Sequence, residues 1–386
     1  MGYEQSLPEE LQELQKMVRD FAIKRIEPVC REAEKTAEVP WDLVREGQKM
    51  GLNTLHMPKE YGGGGLSSFE FAVIREEIAR GDIGFATLMG GGGIHSVLAG
   101  GSEEQKRMAC DVLLSGGFLA FALTEPNAGS DSAALITTAK RVGDEYVLNG
   151  SKCFCSSGSI SEYVTVFAST DLSKGGKGVT AFWVPTNTPG FVIGSLEHKM
   201  GQRVCPVATL HFDDMVIPAS ARMGEEGEGF KIAMKSLTHS RPVNGSSAVG
   251  LAQSAYEKAV KYAHERVLFG QPIANFQGVG FMLADMAIQI QAARQLVWLA
   301  CRLTDMHAPD RVVSSSAKCF ASDTAVRVTT DAVQIFGGNG YSQEYPVEKL
   351  MRDAKLCQIY EGSNQVQRKI ITEQITRQYN KQFVSK

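Results

Sequence analysis

No run of about 18 apolar residues, the length a bilayer-crossing helix needs, occurs in this 386-residue sequence. No membrane span is therefore expected. Charge of one sign is scarce too. Forty Lys and Arg stand against 43 Asp and Glu, a formal net charge of −3, and no long basic run argues for a nucleic-acid partner. The eight cysteines are scattered at positions 30, 110, 153, 155, 205, 301, 319 and 357. Only Cys153 and Cys155 are close, and alternation along a strand would set them on one face. Neither C-x-x-C nor H-E-x-x-H occurs, and the seven histidines show no ligand spacing. No metal site and no dithiol redox centre is expected. Scattered cysteines in a long chain are expected to be buried and reduced, which points to the cell interior. The start, Met1-Gly2-Tyr3-Glu4-Gln5, is polar and acidic rather than a signal peptide, and Ser6 alone is poor support for myristoylation. A G-x-G-x-x-G nicotinamide fingerprint is also missing.

What is present is ordinary in bulk: 43% hydrophobic and 22% charged residues, a soluble composition long enough for two or three domains. Leu7, Leu11, Leu14, Val18, Phe21 and Ala22 recur at steps of three and four, a helical face, and Ser6 with Glu9 around Pro8 reads as its start. Trp41 to Met50 reads as a helix stopped at Gly51. The glycines 62 to 65 after Tyr61 read as a flexible turn, and Ser67-x-x-Glu70 as the cap of a helix through Phe71, Ile74 and Ile78 to Gly81. Gly90 to Gly93 interrupt a helical pattern. They are either a simple loop or deleted side chains that leave room for a ligand.

From about Phe118 the period changes to two, with strands at 163–168, 180–184 and 208–212 separated by turn signals and ending near Pro218. From about Gly229 the pattern is helical to the end, with breaks at Pro242, Gly270-Gln271-Pro272, Ala308-Pro309 and Gly337 to Gly340. The expected fold class is α+β: an N-terminal helical domain (1–117), a middle β-barrel-like domain (118–228) and a C-terminal four-helix bundle (229–386).

In Leu356-Cys357-Gln358-Ile359-Tyr360-Glu361-Gly362-Ser363-Asn364-Gln365 a single carboxylate stands beside a glycine. The commoner reading of such a break is a helix end at Gly362 and a new start at Ser363. The chemical reading makes Glu361 a general base where Gly362 lets a ligand approach the backbone. Phe121-Ala122-Leu123-Thr124-Glu125-Pro126-Asn127-Ala128-Gly129-Ser130-Asp131 joins a strand to a polar, glycine-bearing turn, suited to a heteroaromatic ring and phosphates.

Tyr360-Glu361-Gly362-Ser363-Asn364-Gln365, preceded by the segment from Tyr345 to Lys355, resembles the C-terminal signature of the acyl-CoA dehydrogenases. The Thr124 to Asp131 turn resembles their Thr-Glu-Pro-x-Ala-Gly-Ser-Asp signature, Glu265-Arg266 through Gln277 their E-R-x-x-F-G element, and Asp331 to Tyr341 a further one. The resemblance runs from Leu7 to about Gln378 and is nearest to short- and medium-chain (butyryl-type) members.

It implies that Glu361 removes the α-proton of an acyl-CoA thioester while the β-hydrogen leaves as hydride to the N5 atom of FAD. The thioester oxygen would be polarised by the Glu361 N–H and a ribityl hydroxyl. For FAD it implies Phe121, Leu123, Thr124, Gly129, Ser130, Phe154, Ser156, Ser363 and Gln365. Phe154 stands in place of a tryptophan and Ser156 in place of a threonine. Arg266, Phe269, Gln277, Gln334 and Gly338 would reach the FAD of a neighbouring subunit in a homotetramer, a dimer of dimers. For substrate it implies Ser130, Thr238, Arg241, Tyr360 and Gly362, with Gly90 replacing a glutamate at the distal end of the acyl pocket. A bulky, branched, cyclic or aryl acyl group is the resulting expectation. The resemblance also implies an electron-transfer flavoprotein as partner and a cytoplasmic protein, or a mitochondrial-matrix one in a eukaryote. An enoyl-CoA reductase running in reverse, an oxidase and an inactive flavin-binding scaffold are the other readings.

Overall fold

The computed structural model describes residues 6–384; the N-terminal reading at Met1 to Gln5 lies outside the described residues. Helix α1 (Glu9–Phe21) buries Leu11, Gln15, Val18 and Phe21. Its N-cap is Pro8 with no side-chain cap bond, so the expected Ser6 start gives way to a proline whose φ of −56° already suits a helix. A π-helical turn over Ala22–Ile26 carries the chain into α2 (Glu27–Thr36) and then α3 (Trp41–Lys49). The glycine run 62–65 is packed rather than flexible. A Cβ on Gly63 would collide with Met57, and the Gly64 and Gly65 amides donate to the Thr54 and Met57 carbonyls.

Helix α4 (Ser68–Gly81) opens with the expected capping box of Ser67 and Glu70. It is buried on almost every side, because α1 and two C-terminal helices pack around it. Next come α5 (Ile83–Leu88), the Gly90 to Gly93 break, α6 (Ile94–Gly100) and α7 (Glu103–Leu114).

The middle of the chain forms β1 (Leu119–Ala122), β2 (Thr138–Val142), β3 (Glu145–Ser156), β4 (Tyr163–Ser169), β5 (Val179–Pro185), β6 (Phe191–Leu196), β7 (Val207–Pro218) and β8 (Arg222–Met223). Their order is β6-β7-β3-β2-β4-β5-β8, with β1 lying parallel to β4. The register shifts where β3 bulges against β7, between Leu148 and Gly150 and between Lys152 and Cys155, and where β6 pairs β7, between Ile193 and Leu196. Strands β4 and β5 are buried on both faces rather than alternating. All eight cysteines are buried free thiols.

Helix α8 (Gly229–Glu265) runs straight through Pro242, where a break was expected. A proline inside a helix leaves the carbonyl four residues back without its donor. Here that carbonyl, Thr238 O, accepts from Ser314 Oγ at 3.1 Å. The helix is mended from outside. A hairpin of β9 (Val267–Leu268) and β10 (Gln271–Pro272) leads to α9 (Gln277–Asp305), α10 (Arg311–Phe336), α11 (Val347–Cys357) and α12 (Asn364–Tyr379). Helices α4 and α8 cross in backbone contact, since a Cβ on Gly250 would collide with the Glu76 carbonyl. Beside the crossing, Arg294 of α9 pairs with Glu76 at 2.7 Å, fully buried. The three-domain order is helical, sheet, helical, as the α+β reading anticipated.

Candidate active site

The turn between α11 and α12 is under backbone strain. Glu361 has φ +58° and Gly362 φ +89°, and a non-glycine residue in that region costs about 1–3 kcal/mol unless its surroundings hold it. Three helices do so. Arg241 Nε on α8 and Gln367 Nε2 on α12 each donate to the Glu361 carbonyl at 3.1 Å. Lys318 Nζ on α10 and Gln367 Nε2 each donate to the Gly362 carbonyl at 2.9 Å. Lys318 also donates to Asn364 Oδ1 at 3.0 Å. Burial pushes its ammonium down to about 8, against the opposing pull of Cys357 and Glu361.

On the carboxylate, Ser240 Oγ donates to Oε2 at 2.7 Å. Among the described residues Oε1 and the Glu361 N–H have no hydrogen-bond partner. One carboxylate oxygen is thus oriented by a hydroxyl and the other is open to a proton. The neighbouring amide is open to an acceptor. Gly362 is required here on two counts, its φ and a Cβ position only 2.7 Å from Gln367 Nε2. It does not end α11, which stops at Cys357, but Ser363 does cap α12 through the Val366 amide. Tyr360 is half-buried, its phenol held well above the usual range by burial, with Cys357 adding to the shift. Gln365 is exposed.

The second part of the site is the turn leaving β1, pinned from beneath. Glu125 and Lys152 form an ion pair at 2.7 Å with side chains 2% and 0% exposed. Glu125 also accepts from the Ile136 and Thr137 amides at 2.7 and 3.0 Å, and Lys152 donates to the carbonyl of buried Leu123 at 3.1 Å. Burial opposes both charges. The lysine and the two amides still hold the Glu125 carboxyl below its ordinary range, whereas burial prevails on Lys152 and lowers it. The Cys153 amide donates to Thr124 O at 2.9 Å and ties the turn to β3.

On the outer side of that tie, the β3 bulge turns Phe154 outward with φ +55° and 65% exposure. It is a presented ring, not the core aromatic that position would otherwise suggest. Ser156, Gly129 and Ser130 are exposed, Thr124 is half-buried, and Phe121 lies behind against Phe167 at 4.9 Å. The hydroxyls of Thr124, Ser130 and Ser156 make no hydrogen bond among the described residues. Nothing lies within 4 Å of a Cβ on Gly129. An open glycine, three unspent hydroxyls and an exposed flat ring fit the edge of an FAD ring system.

Not every expected residue joins these two parts. Arg266, Phe269, Gln277, Gln334 and Gly338 are all exposed, Phe269 by 93%, and no hydrogen bond or ring contact takes them to Thr124 or Glu361. Thr238 and Arg241, expected at the substrate nucleotide, are otherwise engaged. Thr238 Oγ1 donates to Met234 O at 2.8 Å within its helix, and buried Arg241 is turned onto the Glu361 carbonyl. Gly90 does not open room. A Cβ there would lie 2.7 Å from Arg75 Nη1 and 3.2 Å from Nη2, so the missing side chain is replaced by a guanidinium. The expectation of a bulky acyl group loses its structural basis at that point. Sequence reasoning passed over Arg75, Lys318 and the Glu125–Lys152 pair. Arg75, Lys318 and Lys152 are charges in ordinary helix or strand patterns and Glu125 is one in a turn, and burial alone distinguishes them.

Comparisons with known proteins cover nearly the whole chain. Family models described as the acyl-CoA dehydrogenase N-terminal, middle and C-terminal domains match residues 8–117, 120–215 and 227–376. The chain is 43% identical to cyclohex-1-ene-1-carbonyl-CoA dehydrogenase of Syntrophus aciditrophicus, over 94% of this chain and 89% of that one. It is 41% identical to acryloyl-CoA reductase (NADH) of Anaerotignum propionicum, over 96% of each. Among solved structures, butyryl-CoA dehydrogenase of Megasphaera elsdenii superposes with a TM-score of 0.92 at 40% identity, covering 96% of this chain and 99% of that one.

Proposed function

This chain belongs to the acyl-CoA dehydrogenases, FAD-dependent oxidoreductases acting on acyl-CoA, and from that premise we propose that it converts an acyl-CoA thioester to the 2-enoyl-CoA with Glu361 as the base. The observation that carries this is the Glu361 turn itself, with one carboxylate oxygen bonded to Ser240 and the other open. A general base must be held in place and yet have a free lone pair at the proton it takes. Glu361 meets both conditions. Its unpaired N–H, beside a glycine that admits close approach, supplies a donor for the thioester oxygen as enolate-like charge develops there. Bound FAD supplies the acceptor for the two electrons and the β-hydrogen. Thr124, Ser130 and Ser156 would hold its ring edge, Phe154 would shield it, and Phe121, Leu123 and Gly129 would form the floor and rim.

The five exposed residues from Arg266 to Gly338 support a shared cofactor site. A side chain as apolar and as bare as Phe269 is expected to be covered, and a second copy of this chain in a homotetramer would cover it while Arg266, Gln277, Gln334 and Gly338 reach that copy's FAD. Ser363, Gln365 and Tyr360 would line the same cleft from the α12 side. Domain boundaries at 117/118 and 228/229, an electron-transfer flavoprotein as partner and a cytoplasmic location complete the reading. No helix among the described residues is long and apolar enough to cross a membrane. The reductase direction is the second reading, favoured by likeness to a relative named as an acryloyl-CoA reductase. One site serves both directions, and the electron donor decides.

The test is anaerobic bleaching of the yellow holoenzyme with acyl-CoA thioesters. Wild type should bleach, and Glu361→Gln should keep its colour and lose bleaching. Equal bleaching by both proteins would remove Glu361 from the chemistry.

A further inference from the structure

The described residues include several deeply buried cations, and most have an evident compensating group. Lys152 has Glu125, Lys349 has Asp82 and Asp353, and Arg294 has Glu76. Arg241 and Lys318 hold the carbonyls beside Glu361. Arg75 on α4 is different. It is 4% exposed, yet no carboxylate lies within ion-pair distance among the described residues. Of its five N–H donors, Nε gives one to Ser247 Oγ at 2.9 Å and Nη1 one to Ala86 O at 2.6 Å. Nη2 gives none. A guanidinium keeps its charge even when buried, so this site carries a desolvated positive charge with three donors unspent. Leaving such a group unpaired is costly.

Its surroundings are polar in the same unfinished way. The Arg75 charge bears on His56, both of whose ring nitrogens are buried without a partner among the described residues. Burial, with Arg75 and His239 adding, holds that imidazole down to about 3, hence neutral. It has one N–H to donate. The glycines line this pair: Gly90 faces the Nη1–Nη2 edge, and a Cβ on Gly91 would lie 3.1 Å from His56 Cε1. From His56 the rings step to His95 at 5.1 Å and from His95 to His239 at 4.7 Å. His239 adjoins Ser240, the residue that orients Glu361. The Glu361 carboxylate bears electrostatically on Arg75 as well, from the active-site turn to the middle of α4.

We propose that the acyl group of the substrate ends in a carboxylate, which Arg75 receives through its unpaired Nη2 N–H groups, on the side away from Gly90, with the His56 N–H as a further donor. A carboxylate is the planar, two-oxygen anion that a guanidinium fork fits, and charge-assisted bonds of this kind are the strong ones. A plain alkyl or cyclic terminus would leave the donors dry and unpaired. This rests on the reaction proposed above and adds the substrate class.

The experiment uses wild-type holoenzyme and measures anaerobic bleaching and kcat/KM. The probes are succinyl-, glutaryl- and adipyl-CoA, the ω-methyl ester of each, and butyryl-, hexanoyl- and cyclohexanecarbonyl-CoA. At least one free acid should exceed its own methyl ester and every neutral thioester by about 10- to 100-fold in kcat/KM. In Arg75→Met the ratio of free acid to ester should collapse toward one. Neutral thioesters that bleach as well as or better than the free acids would overturn the carboxylate inference and leave the dehydrogenase reading standing. If nothing in the panel bleaches, both fall. Should Arg75→Met not fold, the acid-to-ester ratio of wild type decides alone.

Discussion

Removing the ammonium beneath the Thr124 turn tests whether a buried ion pair positions the cofactor face. In Lys152→Met the Glu125 carboxylate keeps its two amide donors, Ile136 and Thr137, but loses a cation 2.7 Å away in a site only 2% exposed. Stranding one half of a buried pair costs about 3–5 kcal/mol, a fifth or more of the roughly 5–15 kcal/mol that holds a domain together. Most of that cost is the stranded charge. The double variant Glu125→Gln/Lys152→Met should therefore recover about half of the loss, because no ion remains buried. Lys152 also holds the Leu123 carbonyl at 3.1 Å, so the single variant should release FAD more readily, with Kd up about tenfold for a loss of about 1.4 kcal/mol. Urea unfolding at fixed excess FAD gives the stabilities, and gel filtration followed by flavin absorbance gives retention. If Lys152→Met loses under about 1 kcal/mol, or if the two substitutions simply add, the pair is not what fixes this turn.

Two further outcomes follow from the Glu361 turn. Gly362→Ala puts a side chain at φ +89° and 2.7 Å from Gln367 Nε2. It should cost about 1–3 kcal/mol in urea unfolding and lower the rate of flavin bleaching, with the FAD content unchanged. Lys318 titrates near 8 when folded against 10.5 when unfolded. Between those values the unfolded chain binds more protons, so the stability tied to this group rises with pH, by at most about 1.4 kcal/mol per unit. Between pH 8 and 10, Lys318→Met should lose that rising component relative to wild type, as read by urea midpoints.

How much of this was legible depended on whether the signal was local. The α4 capping box was readable because Ser67 and Glu70 are three residues apart. The strand at Tyr163 was readable from its short run of β-branched and aromatic residues, although it is buried on both faces instead of alternating. Glu361 was singled out by its neighbour Gly362 and then by resemblance. Arg75, Glu76 and Glu77 look like the solvated face of a helix, and nothing nearby in sequence says otherwise. Their partners Ser247, Arg294 and Gln15 lie 172, 218 and 62 residues away. Burying such charges is affordable only in a tertiary structure that brings those groups together. Pro242 misled for the same reason, since the hydroxyl that mends its helix comes from Ser314. At Gly90 the absence of a side chain was visible, but what fills the space was not.

The Glu361 turn shows why a motif can be read before its mechanism. Tyr-Glu-Gly-Ser is four residues, but the conformation it adopts is unfavourable for Glu361 on its own. The compensation comes from Arg241, Lys318 and Gln367 on three helices, each donating to a backbone carbonyl rather than to the carboxylate. Charged donors thus hold the main chain while a neutral hydroxyl, Ser240, holds the carboxylate. Had Arg241 or Lys318 gripped Oε1 directly, the ion pair would have stabilised the carboxylate and weakened it as a base. Spending those cations on carbonyls keeps the carboxylate oriented and one oxygen free, which is what proton removal from carbon requires.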